Sequence, residues 1–73
     1  MPPEKKDLAL LLDMLDSARA VIGMTWQMSF SEFCQDRRTR RAVEREIEII
    51  GEAARRVSDP CRNLLPEIPW GRS

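Results

Sequence analysis

The sequence predicts an all-α protein, an antiparallel helical bundle of two long helices with short helices between and after them. Three observations predict it. Apolar residues recur at steps of three and four from Leu8 to Ile22 and again from Val43 to Val57, the period of an amphipathic helix. Helix-start chemistry stands at Ser29-Phe30-Ser31-Glu32 and at Ser58-Asp59-Pro60. No stretch alternates as a strand does, and the chain has no repeat and no low-complexity segment.

Pro2 and Pro3 block regular structure at the start, so residues 1–4 are expected to fray. The first helix opens at Asp7, whose carboxylate suits both an N-cap and the positive end of the helix dipole. Leu8, Leu11, Leu12, Leu15, Ala18 and Ile22 form its main apolar stripe, and Leu10, Met14 and Val21 widen it. Gly23 ends it within a residue or two. After a connector holding Trp26, Ser29 and Glu32 form a capping box, with Met28 and Phe33 at the staple positions. The short helix it opens runs from about Phe30 to Cys34, with Phe30, Phe33 and Cys34 as its buried side.

The third helix runs from about Arg38 to Val57, capped by Asp36 or Thr39. Val43, Ile47, Ile50, Ala54 and Val57 make its stripe, broadened by Ala42, Ile49 and Ala53. Glu44, Glu48, Glu52 and Arg56 line its solvent side, the last two in the favourable order, acid before base. Gly51 within this helix costs about 1 kcal/mol against alanine and marks a close backbone approach. A short helical turn from Cys61 to Leu65 follows Pro60, and residues 66–73 form an extended Pro/Trp tail, because each proline turns its predecessor away from helix.

Seventy-three residues make one small domain with a marginal core. Twelve basic and twelve acidic residues cancel, which argues against a protein that grips nucleic acid by bulk charge. The chain has no histidine and no tyrosine, so it lacks the commonest general base and metal ligand, and the phenol as proton donor. Two cysteines are too few for a disulfide scaffold, and the apolar start is broken by Asp7, Asp13 and Asp16, unlike a signal peptide. A cytoplasmic protein with free thiols is expected, with no membrane span, cofactor or metal.

Four arginines at Arg37, Arg38, Arg40 and Arg41, with Arg45 one turn on, oppose the helix dipole and suggest phosphate contact. The alternative is a solvated face paired with Glu44, Glu46 and Glu48. The carboxylates Glu44, Glu48 and Glu52 form one helix face without a partner for acid–base or metal chemistry. Of the two thiols, Cys61 near a helix start is the better candidate for a lowered pKa. Trp26 and Trp70 read as core or interface anchors.

The order of the pieces is informative: Asp7-Leu8-Ala9 with Leu11-Leu12-Asp13-Met14-Leu15, Ser29-Phe30-Ser31-Glu32-Phe33, Ala42-Val43-Glu44-Arg45, Ile47-Glu48-Ile49-Ile50-Gly51-Glu52-Ala53-Ala54, and Pro66-Glu67-Ile68-Pro69-Trp70. From Asp7 to Trp70 this resembles the HepT-like family of HEPN-fold proteins. The resemblance implies a helical bundle that forms a homodimer, and the role of a metal-independent ribonuclease toxin in a toxin–antitoxin pair. It implies as partner a small nucleotidyltransferase antitoxin, MntA, which adds AMP groups to a toxin tyrosine. Catalysis in the family rests on an Arg-Asn…His-x-Tyr motif on a helix after the Pro-Trp segment. Here Gly71-Arg72-Ser73 follows Trp70; Arg72 stands too close to the tryptophan to be the motif arginine, and no histidine follows.

The expectation is therefore a partial HEPN-like fold: residues 1–73 as the N-terminal portion of a HepT-like domain, without the catalytic helix and inactive alone. It would be a shortened reading frame, a decayed copy or a piece of a longer chain. No catalytic residue carries over. Arg45, Gly51 and Glu52 match positions on the active-site side of relatives, and Arg45, Glu52, Arg37 and Arg41 are the candidates for that side or for RNA contact. Ile49, Ala53, Gly51 and Trp70 are the candidates for dimer packing. The competing readings are a helical dimerisation module that binds a full-length toxin or the antitoxin, and a small RNA-binding protein.

Overall fold

The computed structural model describes residues 4–70, so the expected fraying of Met1, Pro2 and Pro3 and the end of the tail, Gly71, Arg72 and Ser73, lie outside the described residues. Four helices follow in order: α1, Lys5–Thr25; α2, Phe30–Gln35; α3, Arg37–Arg56; and α4, Asp59–Leu64. The described residues contain no strand. The two long helices pack on each other and α2 packs on α3. Asp7 meets Ser58 and Leu10 meets Ala53, so α1 and α3 run antiparallel, as the two stripes predict.

The capping chemistry sets the corners. Ser29 Oγ accepts from Glu32 N–H at 3.0 Å, and Glu32 Oε1 accepts from Ser29 N–H at 2.9 Å, the predicted capping box. Asp36 resolves the choice left open at the next helix. Its Oδ1 accepts from Thr39 N–H at 3.0 Å and its Oδ2 from Thr39 Oγ1 at 2.8 Å, so Asp36 caps α3 and Thr39 is its partner. The Asp36 amide also donates to the Glu32 and Phe33 carbonyls, closing α2. One residue thus ends one helix and starts the next.

The core is small: Leu10 of α1, Ala53 of α3, Val57 behind it and Cys61 of α4, with Leu11, Met14 and Trp70 packed at its edge. This overturns the assignment of faces on α1. The buried side is Asp7, Leu10 and Ser17, and Leu8, Leu12, Leu15 and Ile22 of the main sequence stripe stand in solvent. Both sets have helical spacing, so periodicity alone could not rank them. The small Ser17 and the paired Asp7 allow α3 to approach where a row of leucines would hold it off.

Asp7 is also not a cap of its own helix. The N-cap position is Glu4, without a side-chain bond, and α1 begins two residues before Asp7. Asp7 is only 2% exposed because it reaches across to α4: its Oδ1 accepts from Ser58 N–H at 2.9 Å and its Oδ2 from Ser58 Oγ at 2.7 Å. Ser58 Oγ in turn accepts from Cys61 N–H, capping α4.

Three smaller expectations change. Phe30 is 83% exposed and Cys34 is exposed, so of the α2 set only Phe33 turns inward, because one and a half turns present a single row to α3. A Cβ on Gly51 would meet only Arg55 Nη1 at 3.7 Å, so no backbone crowds it. Residues 66–70 fold back in turns rather than extending: Ile68 N–H donates to Leu65 O and Trp70 Nε1–H to the same carbonyl, because the indole gains the core edge. No helix of the described residues is long and apolar enough to cross a membrane.

Candidate functional site

The seam between α1 and α3 opens on one side into a groove of about 360 Å³. Leu10 of α1 and Ile49 and Ala53 of α3 are its apolar residues, and Asp13, Arg45, Glu48, Glu52 and Arg56 are its charged ones. Four of the sequence candidates, Arg45, Glu52, Ile49 and Ala53, meet here. Helical spacing explains this, since residues 45, 48, 49, 52, 53 and 56 are one face of α3.

The groove is lined by charge and holds no imidazole, thiol or phenol. Its ionisable members are three carboxylates and two guanidiniums. Glu52 Oε2 accepts from Arg55 Nη2 at 2.9 Å, in place of the expected pair with Arg56, and both partners are mostly exposed. Such a pair adds little to stability. Among the described residues no three of His, Cys, Asp or Glu gather closely enough to hold a metal ion.

Arg41 and Arg37 continue the row of Arg45 toward the start of α3, one and two turns on, and all three are exposed. Successive members are about 6 Å apart along the axis. Among the described residues none of them is within ion-pair distance of a carboxylate, so the expected pairing with Glu44, Glu46 and Glu48 is not made.

The remaining candidates lie elsewhere. Ala53 is buried against α1 and Ile49 is half-buried, so Ala53 is already used within the chain. Glu48, Glu52 and Arg56, expected on the solvent side of α3, line the same groove as Ile49. Gly51 is half-buried, and the space its missing Cβ leaves is bordered by the Arg55 guanidinium. Trp70 packs at the core edge beside Arg62, whose guanidinium stands 5.9 Å from the ring centre. Arg62 Nη2 donates to the Ala54 and Arg55 carbonyls at 3.0 and 3.2 Å, satisfying the free end of α3. Sequence reasoning missed this role; a basic residue shortly after a helix end was its signal.

Cys61 is a correction too. It is buried, and burial together with the Asp7 carboxylate pushes its thiol above the usual cysteine value. A helix start lowers a thiol pKa only where solvent or a cation supports the thiolate. Asp7 is held below the usual carboxylate range by the Ser58 amide and hydroxyl.

Comparison with known proteins decides what these helices belong to. Residues 14–72 match the family described as ribonuclease HepT-like. The chain belongs to the HepT-like family. Two Methanocaldococcus jannaschii proteins named as RNases are similar to it. One is 38% identical over 68 residues, covering 93% of this chain and 56% of that protein. The other is 42% identical over 67 residues, covering 90% and 62%. A Thermococcus cleftensis protein named ribonuclease HepT is 37% identical over 60 residues, covering 82% of this chain and 54% of its own length. The HepT-like chain thus spans a little over half the length of these relatives. No solved structure matches it.

Proposed function

We propose that these residues are the scaffold portion of a HepT-like ribonuclease, able to bind and assemble but unable to cut RNA by themselves. The observation that carries this is composition: the chain holds no histidine and no tyrosine. Metal-independent RNA cleavage needs a group that takes a proton and one that gives it near neutral pH. The groove supplies carboxylates and guanidiniums only. Arg37, Arg41 and Arg45 are suited to successive phosphates, because none has an ion-pair partner among the described residues and each guanidinium offers two parallel donors. In this reading the chain acts in the cytoplasm, within a toxin–antitoxin pair whose other member is a nucleotidyltransferase.

The test is purified chain against total RNA and transfer RNA, with a full-length relative as positive control. No cleavage is expected. Cleavage that survives extensive purification and is lost in Arg45→Ala or Glu52→Gln would overturn the proposal. A second reading, an interaction module that pairs through an open helix face, is favoured by the row of exposed apolar residues on α1.

A further inference from the structure

The floor of the groove between α1 and α3 is aliphatic: Leu10 and Ala53 are buried and Ile49 is half-buried. No aromatic side chain lines it. Trp26 stands in solvent at the C-cap of α1, and Trp70 packs at the core edge. Its volume of about 360 Å³ is that of a ligand-sized pocket, with room for one flat ring system. Arg45 belongs both to this groove and to the row of Arg37 and Arg41. Glu48 lies on the same face of α3, three positions after Arg45 and about 4.5 Å further along the axis. It is exposed and has no ion-pair partner among the described residues, whereas Glu52 is paired with Arg55.

Resting on the phosphate contacts proposed above, we propose that the groove receives an unpaired guanine of single-stranded RNA, with Glu48 accepting from its Watson–Crick edge. A carboxylate presents two oxygens side by side, both acceptors. Guanine alone among the four bases answers with two donors side by side, N1–H and the N2 amino group. Adenine and cytosine set a ring-nitrogen acceptor beside their amino donor, and uracil sets a carbonyl oxygen on each side of its N–H. Each of these turns a lone pair toward one carboxylate oxygen. An aliphatic floor holds the face of any base, so the edge decides. That edge is free only in an unpaired strand.

Position and charge agree with this occupant. A phosphate on Arg45 and a base edge at Glu48 belong to one nucleotide, and Arg41 and Arg37 take the phosphates that follow. Within the groove the carboxylates Asp13, Glu48 and Glu52 outnumber the guanidiniums Arg45 and Arg56. Such a lining repels a bare phosphate and favours only a base that donates to it, so the carboxylates select rather than attract.

Fluorescence anisotropy of the purified chain with short end-labelled oligouridine tests this, the central nucleotide being uridine, guanosine, inosine, adenosine or cytidine. The guanosine strand should bind roughly tenfold tighter than the uridine, adenosine and cytidine strands, the discrimination of one bidentate contact. Inosine keeps N1–H and lacks the N2 amino group, so it should lose most of that gain. Glu48→Gln exchanges one acceptor for a donor and should bring the guanosine strand level with the uridine strand. Glu44→Gln, exposed on α3 outside the groove, removes the same charge and should keep the preference. Circular dichroism confirms that both variants hold their helices. Strands bound alike by the parent chain, a preference that survives Glu48→Gln, or an equal loss in Glu44→Gln overturns the proposal. The phosphate row still stands in those cases if glutamine at Arg37, Arg41 and Arg45 weakens every strand. No binding of any strand overturns both.

Discussion

Asp7 is the residue that ties the two ends of the chain together. It joins the first turn of α1 to Ser58, which caps α4, across 51 positions of sequence. Its carboxylate is held below the ordinary range, so it binds its proton less readily folded than unfolded. The stabilisation is therefore complete above the unfolded carboxylate pKa of about 4 and is lost as pH falls through the depressed folded value. Glu32 and Asp36, lowered by the Ser29 and Thr39 amides, add to the same acid limb. Asp7→Asn should lower the denaturant midpoint at pH 7 and flatten its decline below pH 4; an unchanged acid limb would contradict the link. Ser58→Ala removes the cap of α4 as well and should cost about 1 kcal/mol. Gly51 gives the opposite sign. Its Cβ space is open, so Gly51→Ala should stabilise by up to about 1 kcal/mol, a rise of roughly 4–8 °C in Tm.

Among the elements, α1 shows best what spacing can and cannot say. Its helical character was legible from spacing alone, as were the capping box and the two long helices. The face it buries was not, because two rows of apolar or small residues compete at the same period. The choice falls to Asp7 and Ser17, polar residues that look out of place in a core until Ser58 is brought alongside. The same blindness hid the role of Arg62 and the exposure of Phe30, since both depend on the packing of the helices. The groove was more legible: Arg45, Ile49, Glu52 and Ala53 share a face by spacing, and only the contribution of Leu10 and Asp13 needed the fold. Truncations should separate the two faces. Leu10→Ala should destabilise by about 2–4 kcal/mol as a cavity in the seam. Leu12→Ala should change monomer stability by no more than about 0.5 kcal/mol. Urea unfolding at low protein concentration reads both.

For the whole molecule, a thin core and a long open face belong together. The chain extends 44 Å by 22 Å by 17 Å, little more than two helices side by side. Such a body buries little apolar surface alone and gains stability from whatever covers its open side. Its basic row lies on α3, away from that side, so the phosphate binding and the association proposed above would be separable. Replacing Arg37, Arg41 and Arg45 by glutamine should weaken single-stranded RNA binding. It should lower the salt slope of log K by roughly 0.7 for each phosphate that is no longer neutralised. It should leave the sedimentation profile unchanged. Above all, α1 uses its Asp7–Leu10–Ser17 face within the chain and offers its Leu8–Trp26 face outward. Thiol labelling tests this most directly, with Ser17→Cys and Leu12→Cys each placed in a Cys34→Ser background at nanomolar concentration. Leu12→Cys should react at the rate of an unfolded peptide, while Ser17→Cys should react only as fast as the chain unfolds; the reverse order, or equal rates in the folded protein, would contradict it.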